Sequence, residues 1–407
     1  MTVVEKILAR ATGRPSVKAG DVLEPKVDLA MSHENAALVI NQFREIYQGT
    51  PLPPRIWDAR RVAVIFDHRV PAESPKTASN QKKVREFIGA QGVGKFHDIR
   101  GDVGGICHQV LPENGYVRPG YVVVGTDSHT TSHGALGAFA FGIGATEMAS
   151  VWALGTVLNV EVPPTIKVIV KGRFRKFVGA KDLILHIIGR ISAQGANFKV
   201  LEFHGETIRR LPTSGRLVLC NMSAELGAKT GIIAPDVKTL IALREGGHPV
   251  GEDALAWRSD VDAVYERHCE FDASVLAPQV AAPHSPANSA AVDVHTGVRI
   301  DQAYIGACTG AKLSDLPMAA ERAAMSGRRS PGTEFATRYR MISLGAPKAA
   351  LLPRSSISME SLRFSAMSRS WVTSIMPVPS FFSLASRSVS SRLDQESRPA
   401  VGSSSTR

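Results

Sequence analysis

The sequence predicts an α/β protein built on parallel sheets, and three observations carry that prediction. Short apolar runs at 62–66 (VAVIF), 121–124 (YVVV) and 165–170 (TIKVIV) are bounded by turn residues, as buried strands are. Longer segments with helical spacing lie between such runs, and alternation of strand and helix is the signature of βαβ units. Finally, Asp67-His68-Arg69 and Gly125-Thr126-Asp127-Ser128-His129-Thr130 follow directly on predicted strands. Open parallel sheets place their ligands at such strand C-termini.

The 407 residues, 44% hydrophobic and 21% charged, suffice for two or three domains with cores of their own. No apolar run reaches the roughly 18 residues of a transmembrane helix, and the opening MTVVEKILAR lacks an apolar signal core. A cytoplasmic protein with no membrane partner is therefore expected. Four cysteines without a CxxC pair argue against a disulfide framework. The net charge of +11 points to nucleic acid until it is located. Residues 326–407 hold 12 Lys and Arg against 4 Asp and Glu, so the rest of the chain is nearly neutral. That balance argues against a phosphate-binding face on the body, and no nucleic-acid partner is expected.

Residues 2–11 read as a short amphipathic helix. Residues 28–43 (DLAMSHENAALVINQF) read as a second, with the polar SHEN as its cap; Ser32 and His33 would then stand at a helix N-terminus, where N–H groups favour anions. The strand at 62–66 delivers Asp67 beside His68, a pairing that orients and charge-tunes an imidazole. Gly104-Gly105-Ile106-Cys107-His108-Gln109 is a further small-residue turn carrying a histidine. The glycines from 134 to 144 allow close backbone approach to a ligand or helix. Residues 181–194 form a helix with Leu183, Ile184, Ile187, Ile188 and Ile191 on one face and Gly195 as its stop. Asn221 and Glu225, four apart, would share a helix face. Residues 244–297 read as a Pro- and Ala-rich connection, and 298–305 as a strand leading to Cys308 in a Gly/Thr turn. A cysteine so placed suits a thiolate ligand or a nucleophile. Beyond residue 324 the character changes: 341–407 contain 19 serines, many beside arginine, the composition of a disordered or aberrant tail.

Taken together, DHR at 67–69, GGICHQ, GTDSHT, CNMSAELGA at 220–228 and GACTGAKLSDL at 306–316 resemble the aconitase superfamily, and within it the large subunits of 3-isopropylmalate dehydratase. The resemblance spans residues 1–324 and implies aconitase-like parallel α/β domains around a central cleft. Two would be complete and a third, starting at about 298–324, truncated. It implies a hydro-lyase that isomerises 2- and 3-isopropylmalate in leucine biosynthesis, at a 4Fe–4S cluster held by three cysteines. Carried over by motif, Asp67 and His68 would protonate the departing hydroxyl, His108 would pair with Asp127, and His129 with Glu225. Ser128, Arg69 and Ser32 would bind substrate, Asn221 would lie near the cluster, and Cys308 would be the first ligand. A separate small subunit, carrying the swivelling domain, is the implied partner, and a small hydroxy-dicarboxylate the implied substrate.

The family's remaining cluster ligands come from a CGPC-type segment, yet no cysteine follows Cys308 here. The tail instead has the composition of out-of-frame translation, and the chain as written is expected to lack the cluster. Homoaconitase or 2,3-dimethylmalate dehydratase large subunits are the alternative activities. A non-catalytic relative is the alternative of a different class.

Overall fold

The computed structural model describes residues 1–100, 104–300, 304–312, 315–318 and 321; the Ser/Arg-rich stretch 325–407 lies outside them. Helix α1 (Val3–Thr12) begins in a capping box, with Thr2 accepting from the Glu5 N–H and Glu5 accepting from the Thr2 N–H at 2.7 Å. A two-residue strand β1 (Val22–Leu23) follows. The helix expected after the SHEN stretch is present, but the residues ahead of it form a strand that the sequence reading did not identify. β2 (Leu29–Ser32) is a strand, buried at all four positions, and α2 (Ala36–Ile46) starts only after a turn. So short an apolar run does not distinguish strand from helix by periodicity, and pairing on both sides decides it.

The first layer continues through β3 (Val62–Ile65), α3 (Pro75–Ala90), β4 (Lys95–His97), α4 (Cys107–Glu113), β5 (Val122–Gly125), β6 (Phe139–Gly142) and α5 (Ala145–Leu154). Its sheet, ordered β4-β3-β2-β5-β6, is parallel throughout. Both faces are covered, which explains the unbroken apolar strands. Within β3, Val62 and Val64 join the cluster around Phe43 and Trp152, whereas Ala63 and Ile65 face Met31 and Leu111.

β7 (Val160–Glu161) pairs with β1 and leads into β8 (Thr165–Lys171), α6 (Ala180–Ile191), β9 (Val200–His204), α7 (Glu206–Arg210), α8 (Thr213–Asn221), β10 (Thr230–Ile232) and α9 (Val237–Glu245). Helix α6 stops at Ile191, ahead of the predicted Gly195, because Ser192 turns to φ 81°. The stretch read as a connection contains β11 (Arg267–Asp272), which pairs along its whole length with β8, and a ribbon of β12 (Gln279–Ala281) and β13 (Ser289–Ala291). The parallel order is β10-β9-β8-β11. β11 is an edge strand of sequence RHCEFD, so it offers no apolar run to recognise. The strand expected at 298–305 is not found among the described residues. Residues 298–300 and 304–305 are irregular, with Val298 and Tyr304 exposed and no neighbouring strand to pair with; 301–303 lie outside the described residues.

The two sheets meet backbone to backbone after β5. The Ile233 N–H donates to Gly134 O at 3.0 Å, and a Cβ on Gly134 would stand 1.8 Å from Gly231 O. Only glycine fits there, so this glycine serves packing of the sheets. No helix among the described residues is long and apolar enough to cross a membrane.

Candidate active site

β2, β3 and β5 end at the same edge of the first sheet, and their next residues carry the polar side chains. Asp127 lies at the centre. Its Oδ1 accepts from the His129 N–H at 2.7 Å and stands 2.9 Å from His108 Nε2, while Oδ2 stands 3.1 Å from His68 Nε2. His68 Nδ1 lies 2.7 Å from Asp67 Oδ1, and Asp67 Oδ2 accepts from the Cys107 N–H at 2.6 Å, fixing the start of α4. His108 therefore projects from the first turn of a helix, not from the small-residue turn its motif suggested. His129 Nε2 reaches Glu225 Oε1 at 3.2 Å.

Asn221 ends α8, whereas Glu225 belongs to the 3-10 segment Met222–Leu226, so they do not share one helix face as expected. The break in the helix turns both toward the site. The Asn221 amide donates to Ser132 Oγ at 2.8 Å and lies 3.4 Å from Cys308 Sγ. The Cys308 segment is held by Lys181 donating to Thr309 Oγ1 at 2.8 Å and Lys312 to Gln109 Oε1 at 3.4 Å.

Of the remaining sequence candidates, Ser128 is exposed beside His129, its Oγ 3.4 Å from Nδ1. Ser32 is the last residue of β2, not a helix cap, and its buried Oγ has no partner among the described residues. Arg69 is exposed and paired with Glu73 at 3.0 Å, apart from the Asp127 cluster's hydrogen bonds. Sequence reasoning placed His33 at an anion-favouring helix N-terminus, not against His68, and missed Glu34. The His33 ring stacks on His68 at 4.1 Å, and Glu34 accepts the N–H groups of His68 and Arg69 at 3.2 and 2.8 Å. Their signal was present in SHEN, read as a cap and an anion-favouring helix start. His133 was also missed: its ring lies 5.7 Å from that of His108, with both nitrogens buried and without partners among the described residues.

Burial opposes charge on Asp127, but the hydrogen bonds from His108, His129 and His68 outweigh it and hold the carboxyl far below its usual range. Asp127 and then Asp67 push His68 up to about 10; Asp127 and then Glu225 push His129 up to about 10. Both rings are thus imidazolium at neutral pH. Burial holds His133 well below its ordinary value, so it stays neutral. Burial likewise opposes charge on Glu34, yet His33 and the two N–H donors lower it to about 2.

His33, Glu34 and His68 bring ligand atoms within 4.8 Å of one another. They do not form a cation site. Imidazole lone pairs lie in the ring plane, and rings stacked at 21° cannot aim them at one point; both His68 nitrogens, moreover, face carboxylates.

Comparison with known proteins agrees with this arrangement. A family described as Aconitase family (aconitate hydratase) matches residues 55–296. A "probable 3-isopropylmalate dehydratase large subunit" of Methanothermobacter thermautotrophicus is 48% identical, over 79% of this chain and 74% of the relative. The chain belongs to the aconitase family. The 3-isopropylmalate dehydratase large subunit 1 of Methanopyrus kandleri is 45% identical over the same shares. A "probable methanogen homoaconitase large subunit" of M. thermautotrophicus is 44% identical, over 79% of this chain and 73% of the relative.

The family implies a 4Fe–4S cluster, and this aconitase-family chain does not fit one. Of its four cysteines, Cys107 and Cys220 are fully buried, and burial pushes both thiols up. Cys269 lies mid-strand in β11. Cys308 alone stands beside the site residues as a partly exposed thiol, where the family uses three.

Proposed function

We propose that this chain is the large subunit of a hydro-lyase of the 3-isopropylmalate dehydratase type, carrying the proton-handling half of its site. The observation behind this reading is His68, held as an imidazolium between Asp67 and Asp127. The shorter contact, 2.7 Å to Asp67, anchors Nδ1. The longer one, 3.1 Å to Asp127, leaves Nε2–H for a substrate hydroxyl inserted at that point. Hydroxide is a poor leaving group, so the hydroxyl departs as water once it takes that proton. A base contributed by the small subunit removes the proton from the neighbouring carbon, giving an unsaturated diacid. Readdition of water at the other carbon returns a proton to His68, while the base gives its proton to the carbon that lost the hydroxyl. Asp127 keeps its charge throughout because three histidines share it, and His129 with Glu225 extends the relay. With one thiol at the site, the chain handles protons without the family's cluster.

The test is NMR observation of the His68 imidazole in the purified chain combined with a 3-isopropylmalate dehydratase small subunit. Addition of 3-isopropylmalate is expected to shift the Nε2 resonance in a saturable way. A larger response to homocitrate would favour the homoaconitase-type reading, which the 44% identical relative keeps in view. No response to either substrate overturns the assignment.

A further inference from the structure

The opposite edge of the first sheet holds a second pocket, of about 360 Å³, at the N-terminal ends of β2, β3, β4 and β5. Arg60, Arg61, Lys95, Arg118 and His248 line it, with Asp28 as the one carboxylate. Asp28 is already saturated: Arg10 binds both its oxygens, Arg61 reaches Oδ1 at 3.3 Å and the Val122 N–H reaches Oδ2 at 2.8 Å. Asp58, outside the pocket, takes up Arg60 through two contacts of 3.0 Å. Lys95 donates only to the carbonyl of Arg60 and lies over the Tyr116 ring at 5.3 Å, and Arg118 has no ion pair among the described residues. Two cations therefore face a concave space without a counter-charge. The His248 ring closes one side by lying against Gly115, where a Cβ would stand 2.2 Å from it. Tyr116 and Tyr121 supply apolar wall.

From this charge excess we infer that the pocket binds a small, multiply charged, phosphate-bearing molecule. Lys95 offers a point charge and Arg118 a fork of donors, a pairing suited to a phosphate with several oxygens. The volume lies within the usual range for ligand pockets, roughly 300–1,000 Å³. The near-neutral charge of the body conceals this local excess. β2, β3 and β5 begin here and end at the Asp127 site, roughly 10–13 Å away at about 3.3 Å per residue. The two sites are thus separate, and a ligand here leaves the first site open. Burial outweighs the charge of nearby Asp58 and holds Lys95 below its ordinary range, as expected for a cation with no anion in contact.

Isothermal titration of the full chain with pyrophosphate and with ADP tests the inference, with malonate as the carboxylate control. Saturable binding of either phosphate is expected, at least tenfold tighter than malonate. Arg118→Glu and Lys95→Gln should each weaken it at least tenfold while the circular dichroism spectrum stays unchanged. Absence of saturable binding, malonate binding as tightly, or undiminished binding by a folded Arg118→Glu chain would each overturn it.

Discussion

Asp127→Asn isolates the electrostatic core of the site with little change in shape. The amide keeps the volume but removes the charge that His68, His108 and His129 share. His68 stands at about 10 because of Asp127 first and Asp67 second. An opposite charge at contact distance is worth about 1–3 pKa units, so the variant's His68 should titrate between roughly 7 and 9. The sign follows from linkage. A histidine raised in the folded state contributes stability that is fully present below its unfolded value, near 6.5, and is lost as pH rises through about 10. In the variant that contribution is smaller and its loss is complete at a lower pH. The assay is an NMR titration of the His68 ring protons in both chains. An unchanged midpoint would show that Asp67 alone fixes the imidazolium, and would refute the central role given to Asp127.

Glu34→Gln weakens the acceptor for the His68 and Arg69 N–H groups and should cost about 1–3 kcal/mol in urea unfolding. In the parent chain, Glu34 adds stability present above its unfolded value near 4.5 and lost as pH falls toward about 2; the variant's acid-unfolding curve should lack that contribution. Asp236→Asn uncouples the fully buried Arg216 guanidinium from its two contacts of 2.8 and 2.5 Å. Urea melts should show a loss of about 3–5 kcal/mol. Anaerobic reconstitution with iron and sulfide should yield fewer than four irons per chain by colorimetric assay, because Cys308 is the one partly exposed thiol at the site and Cys107 beside it is fully buried. Four bound irons would sink the single-thiol reading.

Much of this arrangement was legible in the sequence because strand ends are. An apolar run that stops in Asp-His or Gly-Thr-Asp-Ser-His marks both the strand and its product, and β3 and β5 fell within a residue of their predicted places. The pairings His108–Asp127 and His129–Glu225, expected from the family motifs, appear at hydrogen-bond distance. What stayed hidden depends on tertiary partners. β2 was not recognised because four apolar residues carry no period, and β11 was missed because its partner strand, β8, lies about a hundred residues away. His33 and Glu34 gain their role from stacking and N–H donors that only the folded β2–β3 edge supplies.

Proton handling and thiol ligation are mechanically separable in this fold. The Asp127 network is held by the ends of β3 and β5, the start of α4 and the segment after α8. None of those contacts passes through the Cys308 side chain. Cys308 is attached from outside, by Asn221 and by the lysines Lys181 and Lys312 on its flanking residues. A change confined to the later sequence can therefore remove cluster ligands without disturbing the imidazolium–carboxylate array. Within that array the charges balance one another, with the His68 and His129 rings set against Asp67, Asp127 and Glu225.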